Sequence, residues 1–124
     1  MHNGASVLLA EDELLVRMST AMALREEGFK VLEAEHAGAA LAILEAHAHG
    51  VHVLCTDVHM PGPMDGMELA HHTSNSWPWI GLLVVSARAL DRALPRNSRF
   101  LPKPYEHEHI IDHIRHLVGS RIAH

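Results

Sequence analysis

The chain predicts an α/β fold in which a parallel sheet is covered by helices on both faces. Apolar runs of buried-strand type recur along its 124 residues: SVLLA, KVLEA, VHVLCT, WIGLLVVSA and RFL. Segments with apolar residues at helical spacing stand between most of these runs, and that alternation is what a parallel sheet with crossover helices needs. Length and composition fit one domain: 48% of residues are hydrophobic and 20% charged, with no low-complexity tract. A chain of this size buries roughly two-thirds of the surface its unfolded form exposes, enough for one ordinary core.

The first strand, SVLLA, leads into a helix expected from about Glu13 to Glu27, with Leu14, Leu15, Met18 and Met22 near helical spacing and Gly28 placed to cap its end. After KVLEA, a second helix is expected over about Ala37 to His47, turning Ala40, Leu41 and Leu44 inward and ending at Gly50. VHVLCT follows, then a third helix that begins near Met64 and stops before Trp77-Pro78. The two tryptophans read as packing ahead of the fourth strand. Between the fourth and fifth strands RALDRALPRNS offers only Leu90, Ala93 and Leu94 as an apolar side, and Pro95 stops it. One or two helical turns are the most expected there, in a short and mobile region. The last helix, from about Glu106 to Val118, would bury Ile110, Ile111, Ile114 and Leu117.

Net charge is -5 with histidine neutral, so the balance points away from nucleic acid as a standing partner. Protonating all 13 histidines would carry the charge to +8, so mild acid should change the surface strongly. Their pairs and alternations, HAHG, HHT, EHEH and HIRH, match solvated helix faces better than a transition-metal site, which needs convergent geometry. The single cysteine, Cys55, cannot form an internal disulfide and reads as a small core residue in a reducing compartment. The N-terminal apolar run is too short for a signal peptide, and no stretch approaches the ~18 apolar residues a membrane span needs. A cytoplasmic protein, off the membrane, is expected.

The polar residues fall at the strand ends. The first strand runs into Glu11 and Asp12, the third into Asp57, the fourth into Ser86 and the fifth into Lys103. Ligands of open parallel sheets bind outside the carboxyl ends of the strands, so these five should share one crevice. Three carboxylates together repel unless a cation joins them, and Mg²⁺ suits the arrangement, held by one or two carboxylates with water and a phosphate. Lys103 supplies a movable point charge and Ser86 a hydroxyl donor. Such a set fits the movement of a phosphoryl group, where positioning and electrostatics provide most of the catalysis.

LLAEDE, TDVHMPGPMDG, VVSA and FLPKPY, in this order and at this spacing, resemble the CheY-like receiver domain of two-component response regulators, over nearly the whole chain. The resemblance implies a flavodoxin-like (βα)5 sandwich with strand order 2-1-3-4-5, here with a short or irregular fourth helix, forming one receiver domain over residues 1 to 124 (core about 5 to 119). It implies that Asp57 is the phosphoacceptor, fed by a histidine kinase or phosphotransfer protein. Glu11 and Asp12 match the acidic pair that holds Mg²⁺, and the backbone carbonyl of His59 matches a further ligand beside Asp57. Ser86 matches the switch hydroxyl, Phe100 the switch aromatic, and Lys103 the lysine that pairs with the phosphoryl group. The Lys103-Pro104 bond matches one that is usually cis. Such a domain acts on its own phosphotransfer and dephosphorylation and is otherwise regulatory rather than an enzyme.

PGPMDG carries one residue more than the usual Pro-Gly-x-Asp-Gly, and serine stands where threonine is commoner. His59 and Arg88, two residues after Asp57 and Ser86, stand where they could tune water access. No DNA-binding output domain is expected within these residues, which a stand-alone regulator and a piece of a hybrid kinase or longer regulator would share; the expected output is a downstream protein partner or a relay, with homodimerisation left open. The alternative is a pseudo-receiver serving as a phosphorylation-independent interaction module. A phosphatase or flavin-binding enzyme fits less well, because no second aspartate follows Asp57 by two residues and no Ser/Thr-rich phosphate loop follows the first strand.

Overall fold

The computed structural model describes residues 4–122, with side chains to residue 119; the first three and last two residues of the expected domain lie outside it. Five strands form one parallel sheet of order β2-β1-β3-β4-β5: β1 (Ser6–Ala10), β2 (Lys30–Ala34), β3 (Val53–Asp57), β4 (Gly81–Ser86) and β5 (Ser98–Pro102). Four α-helices, α1 (Leu14–Glu26), α2 (Ala37–His47), α3 (Gly66–Ser76) and α4 (His107–Ile122), and one 3-10 turn, Ala48–Gly50, complete the described residues. None is long and apolar enough to cross a membrane. The flavodoxin-like order expected from the sequence is therefore the observed one.

The three central strands are apolar on both faces because both faces are covered. Leu8, Leu54, Leu82 and Val84 point into a core under α2 and α3. Val7, Leu9, Val53, Cys55, Leu83 and Val85 point the other way, against Leu24 of α1 and Ile110, Ile114 and Leu117 of α4. Leu82 and Leu83 are each 0% exposed on opposite faces, so truncating either to alanine should cost about 2–5 kcal/mol. The last helix buries the four residues expected of it and runs four residues past Val118.

The first helix departs from expectation. Its buried residues are Thr20, Ala21 and Leu24, while Leu15 is 79% exposed and Leu14, Met18 and Met22 are also exposed. The helix carries two apolar stripes, and the one with smaller side chains faces the sheet. Its N-cap is Glu13, which makes no side-chain capping bond.

Between β4 and β5 the expected short or irregular fourth helix is irregular throughout, without a helical turn. Pro95 and the polar run around it favour no repeating backbone bond pattern. Leu90 and Leu94 still pack against the core under α2 and α3. Polar ties do the remaining work: the Arg92 guanidinium meets Asp65, His71 Nε2 lies 2.8 Å from the Ala93 carbonyl, and Asn97 donates to the Ile80 carbonyl.

Candidate phosphoryl-transfer site

The carboxyl ends of β1, β3 and β5 converge. Glu11 follows β1, with its N–H bonded to the Ala34 carbonyl at the end of β2. Asp57 closes β3, and the next residue extends the ladder, Val58 N–H donating to Val85 O. Lys103 follows β5, its N–H donating to Ser86 O at 2.9 Å, so the lysine and the serine are brought side by side by main-chain pairing. The Lys103-Pro104 peptide is cis, as the resemblance implied.

Lys103 Nζ bridges two acids, 2.7 Å from Glu11 Oε1 and 3.0 Å from Asp57 Oδ2. Glu11 and Asp57 are 3% and 8% exposed, so neither could sit there charged without a partner. Burial pushes the Glu11 carboxyl up, more than the bonds from Lys103 and from Glu13 N–H pull it down. Burial alone would lower the Lys103 ammonium, but its bonds to Glu11 and Asp57 outweigh that and hold it charged. One oxygen each of Glu11, Asp12 and Asp57 lie within 4.8 Å of one another. Three hard oxygen donors with one ammonium fit a small divalent cation that retains part of its water shell, the expected Mg²⁺.

A cleft of about 210 Å³ opens onto this cluster, lined by Asp12, Glu13, Asp57, His59, Ala87, Arg88 and Lys103. Asp12 and the side chains of His59 and Arg88 are exposed at its rim. Ser86 is buried, and its Oγ accepts the Arg88 N–H at 3.1 Å, the local backbone bond open to a serine in such a place. Phe100 stands apart from the cleft lining, half-buried against the core under α2 and α3. Burial, then the charges of Glu11 and Asp57, push the Cys55 thiol up to about 12, which leaves it an inert core residue as expected.

The loop after Asp57 is set by a close approach. A Cβ on Gly66 would lie 1.7 Å from the Asp57 carbonyl oxygen, so only glycine fits where α3 begins. Gly66 N–H donates to Val58 O, and Asp65 and Glu68 close a reciprocal capping box. The added residue of PGPMDG is taken up ahead of this junction, where Gly62 has φ of 110°. Sequence reasoning missed Asp65, although the Asp-x-x-Glu spacing before an apolar run signals such a cap. It also missed Arg17, whose partner is a backbone carbonyl and leaves no mark in the sequence.

The sequence model of the response regulator receiver domain matches residues 7–115. The chain is 35% identical over 126 residues to the sensor kinase CckA of Brucella abortus (strain 2308), covering 98% of this chain and 13% of that kinase's length. It is 29% identical over 119 residues to the response regulator receiver protein CpdR of the same organism, covering 92% of this chain and 91% of CpdR. Among solved structures, the receiver domain of the hybrid histidine kinase CckA superposes with a TM-score of 0.81 at 30% identity, over 92% of this chain and 99% of that one. A receiver domain protein from Clostridium thermocellum shares the fold, with a TM-score of 0.87 at 21% identity over 96% and 98% of the two chains. With the acid cluster, the bridging lysine and the sheet order in agreement, the chain belongs to the response regulator receiver domain family of two-component signalling.

Proposed function

We propose that this receiver accepts a phosphoryl group on Asp57 in a Mg²⁺-dependent transfer from a histidine kinase or phosphotransfer protein in the cytoplasm. The observation that carries the reading is Lys103 Nζ bonded at once to Glu11 and Asp57, beside Asp12, at the floor of an open cleft. An Asp57 oxygen attacks phosphorus, the bond from phosphorus to the donor nitrogen breaks, and its electron pair stays on the donor imidazole. Glu11, Asp12 and Asp57, with the His59 carbonyl that the family resemblance adds, would hold the Mg²⁺. Bound there, the ion would offset negative charge on the Asp57 carboxylate and on the phosphoryl oxygens.

The new group brings roughly two negative charges and fresh acceptor oxygens. Lys103 is placed to follow that charge. Ser86 Oγ accepts the Arg88 N–H and keeps its own hydrogen to donate to the new group, so a shift of Ser86 toward it would pull on the Ala87 to Asn97 segment first. Phe100, on the strand that carries Lys103, is the side chain whose repacking would report the change to a downstream protein partner. The donor must reach Asp57 past the start of α1, where Leu14, Leu15, Met18 and Met22 offer it an exposed apolar stripe.

Intact-mass spectrometry after incubation with a small phosphodonor tests the reading. One added phosphoryl group that requires both Mg²⁺ and Asp57, and is lost with EDTA or in Asp57→Asn, is the expected result. No adduct with several donors, together with no Mg²⁺ binding, would overturn it in favour of a phosphorylation-independent interaction module, for which the missing helical turn between β4 and β5 is the one structural argument.

A further inference from the structure

Arg17, the fourth residue of α1, reaches back to the turn that carries the acid pair. Its Nη1 donates to the Glu11 carbonyl at 2.7 Å, and its Nε lies 3.4 Å from Glu33 Oε1 of β2. Only 13% of the side chain is exposed. Glu33 is held from its other side by Arg25, which also donates to the Val31 carbonyl.

Glu11 is thereby engaged at each polar group. Its N–H meets Ala34 O, Oε1 meets Lys103, Oε2 accepts Glu13 N–H, and its carbonyl meets Arg17. These contacts have different consequences. The first three orient Glu11 itself. The carbonyl belongs to the Glu11-Asp12 peptide, so the Arg17 bond sets the plane of the peptide from which Asp12 projects. Asp12 is exposed, and its side chain makes no hydrogen bond among those found in the described residues, so the backbone beneath it decides where its carboxylate stands.

Electrostatics alone argue against an arginine beside a cation site, since its charge opposes the ion. The ion pair with Glu33 offsets that charge and leaves the directional bond. Arginine suits this task because its planar fork offers separate N–H donors in a fixed geometry, one to the carbonyl and one toward the carboxylate, where a lysine ammonium is a single point charge.

We infer that Arg17 is a positioning residue for the cation site: by holding the Glu11 carbonyl it fixes the Glu11-Asp12 peptide and places the Asp12 carboxylate beside Glu11 and Asp57, while Glu33 offsets its charge. The inference rests on the phosphoacceptor reading above, and deepens it. It separates a contact that looks like a tie between α1 and β2 into two parts, one structural and one directed at the metal.

The test titrates the full chain with Mg²⁺ alone, by calorimetry, for wild type, Arg17→Met, Arg17→Lys and Glu33→Gln, with thermal midpoints and the amide resonances of Asp12 and Glu13 recorded alongside. Arg17→Met should weaken Mg²⁺ binding about tenfold or more, as loss of an outer-shell partner does. Arg17→Lys, which keeps a charged donor but loses the planar fork, should fall between it and wild type. Glu33→Gln breaks the tie to β2 but spares the carbonyl bond, so it should lose about threefold at most, and added salt should erase that loss. Raising Mg²⁺ should restore the rate of Asp57 phosphorylation in Arg17→Met. The inference is overturned if the Arg17 variants bind Mg²⁺ as tightly as wild type, or if Glu33→Gln weakens binding as much as they do. If Arg17→Met fails to fold, Arg17→Lys against Glu33→Gln decides in the same way. Wild-type chain that binds no Mg²⁺ would overturn the phosphoacceptor reading as well, whereas tight binding unaffected by Arg17 would remove this inference alone.

Discussion

The guanidinium of Arg92 lies across the carboxylate of Asp65, with Nη2 2.6 Å from Oδ2 and Nη1 3.3 Å from Oδ1. Asp65 simultaneously caps α3 through Glu68 N–H. The pair therefore clamps the irregular segment that leaves Ser86 to the loop that leaves Asp57.

Both partners of this clamp are partly exposed, so Arg92→Ala should cost little stability, and less in high salt. Asp65→Asn keeps the cap and should match that loss, whereas Asp65→Ala should cost about 1 kcal/mol more. Burial would raise the Asp65 carboxyl, but the bonds from Arg92 and Glu68 N–H outweigh it and hold the group below its usual 3.8. A depressed carboxyl stabilises the fold above its unfolded value, so the contribution should be present from about pH 4 upward and fade as pH falls below that. Urea titrations of the double-mutant cycle at pH 7 and pH 3 check both points; full additivity would mean that no clamp exists in solution.

Gly66→Ala should be the most damaging small substitution near the site. Its methyl group would meet the Asp57 carbonyl, a backbone atom that cannot swing aside, so a loss of at least about 3 kcal/mol is expected. Because the displaced carbonyl belongs to Asp57, the proposed phosphoacceptor, phosphorylation should slow even where the variant remains folded. Chemical denaturation and the phosphorylation rate, measured together, would show it; wild-type values for both would mean that α3 begins elsewhere in solution.

Glu11 behaves in the opposite sense to Asp65. Its carboxyl is raised, by burial first, so the folded state favours the protonated form. Stability from such a group is present below the usual 4.5 and is lost as pH rises through the raised folded value. Without metal, wild type should therefore gain stability relative to Glu11→Gln as pH is lowered from neutral toward the usual 4.5. Thermal midpoints of both proteins in EDTA across that range give the comparison, and parallel curves would count against it.

His113 supplies an acid sensitivity of its own. Its Nδ1 accepts Arg99 Nε at 2.7 Å in a groove shared with His109, Asp112 and His116. Burial, then the charges of Arg99, His109 and His116, hold it below the usual 6.5 against the pull of Asp112. A depressed histidine stabilises the fold above its unfolded value, so stability should fall as pH drops through 6.5 and below. His113→Gln, which keeps an acceptor for Arg99, should flatten that part of the stability profile; an unchanged slope would assign the effect to other histidines.

The sequence by itself determined the sheet, its order through the family resemblance, and the convergence of Glu11, Asp12, Asp57, Ser86 and Lys103, because buried strands declare themselves as apolar runs and chemistry sits where those runs end. What only the tertiary structure decided involves choices between locally equal options. Either stripe of α1 could have faced the sheet, and the closer packing allowed by Thr20 and Ala21 left Leu15 and Met18 outside. Leu90 and Leu94 hold helical spacing, yet Pro95 and the bonds to Asp65 and α3 keep their segment irregular. Arg17 and Arg92 were unremarkable charges in the chain, since their partners lie 6 and 27 residues away, one a backbone carbonyl and the other a helix cap, and only the folded chain brings them together.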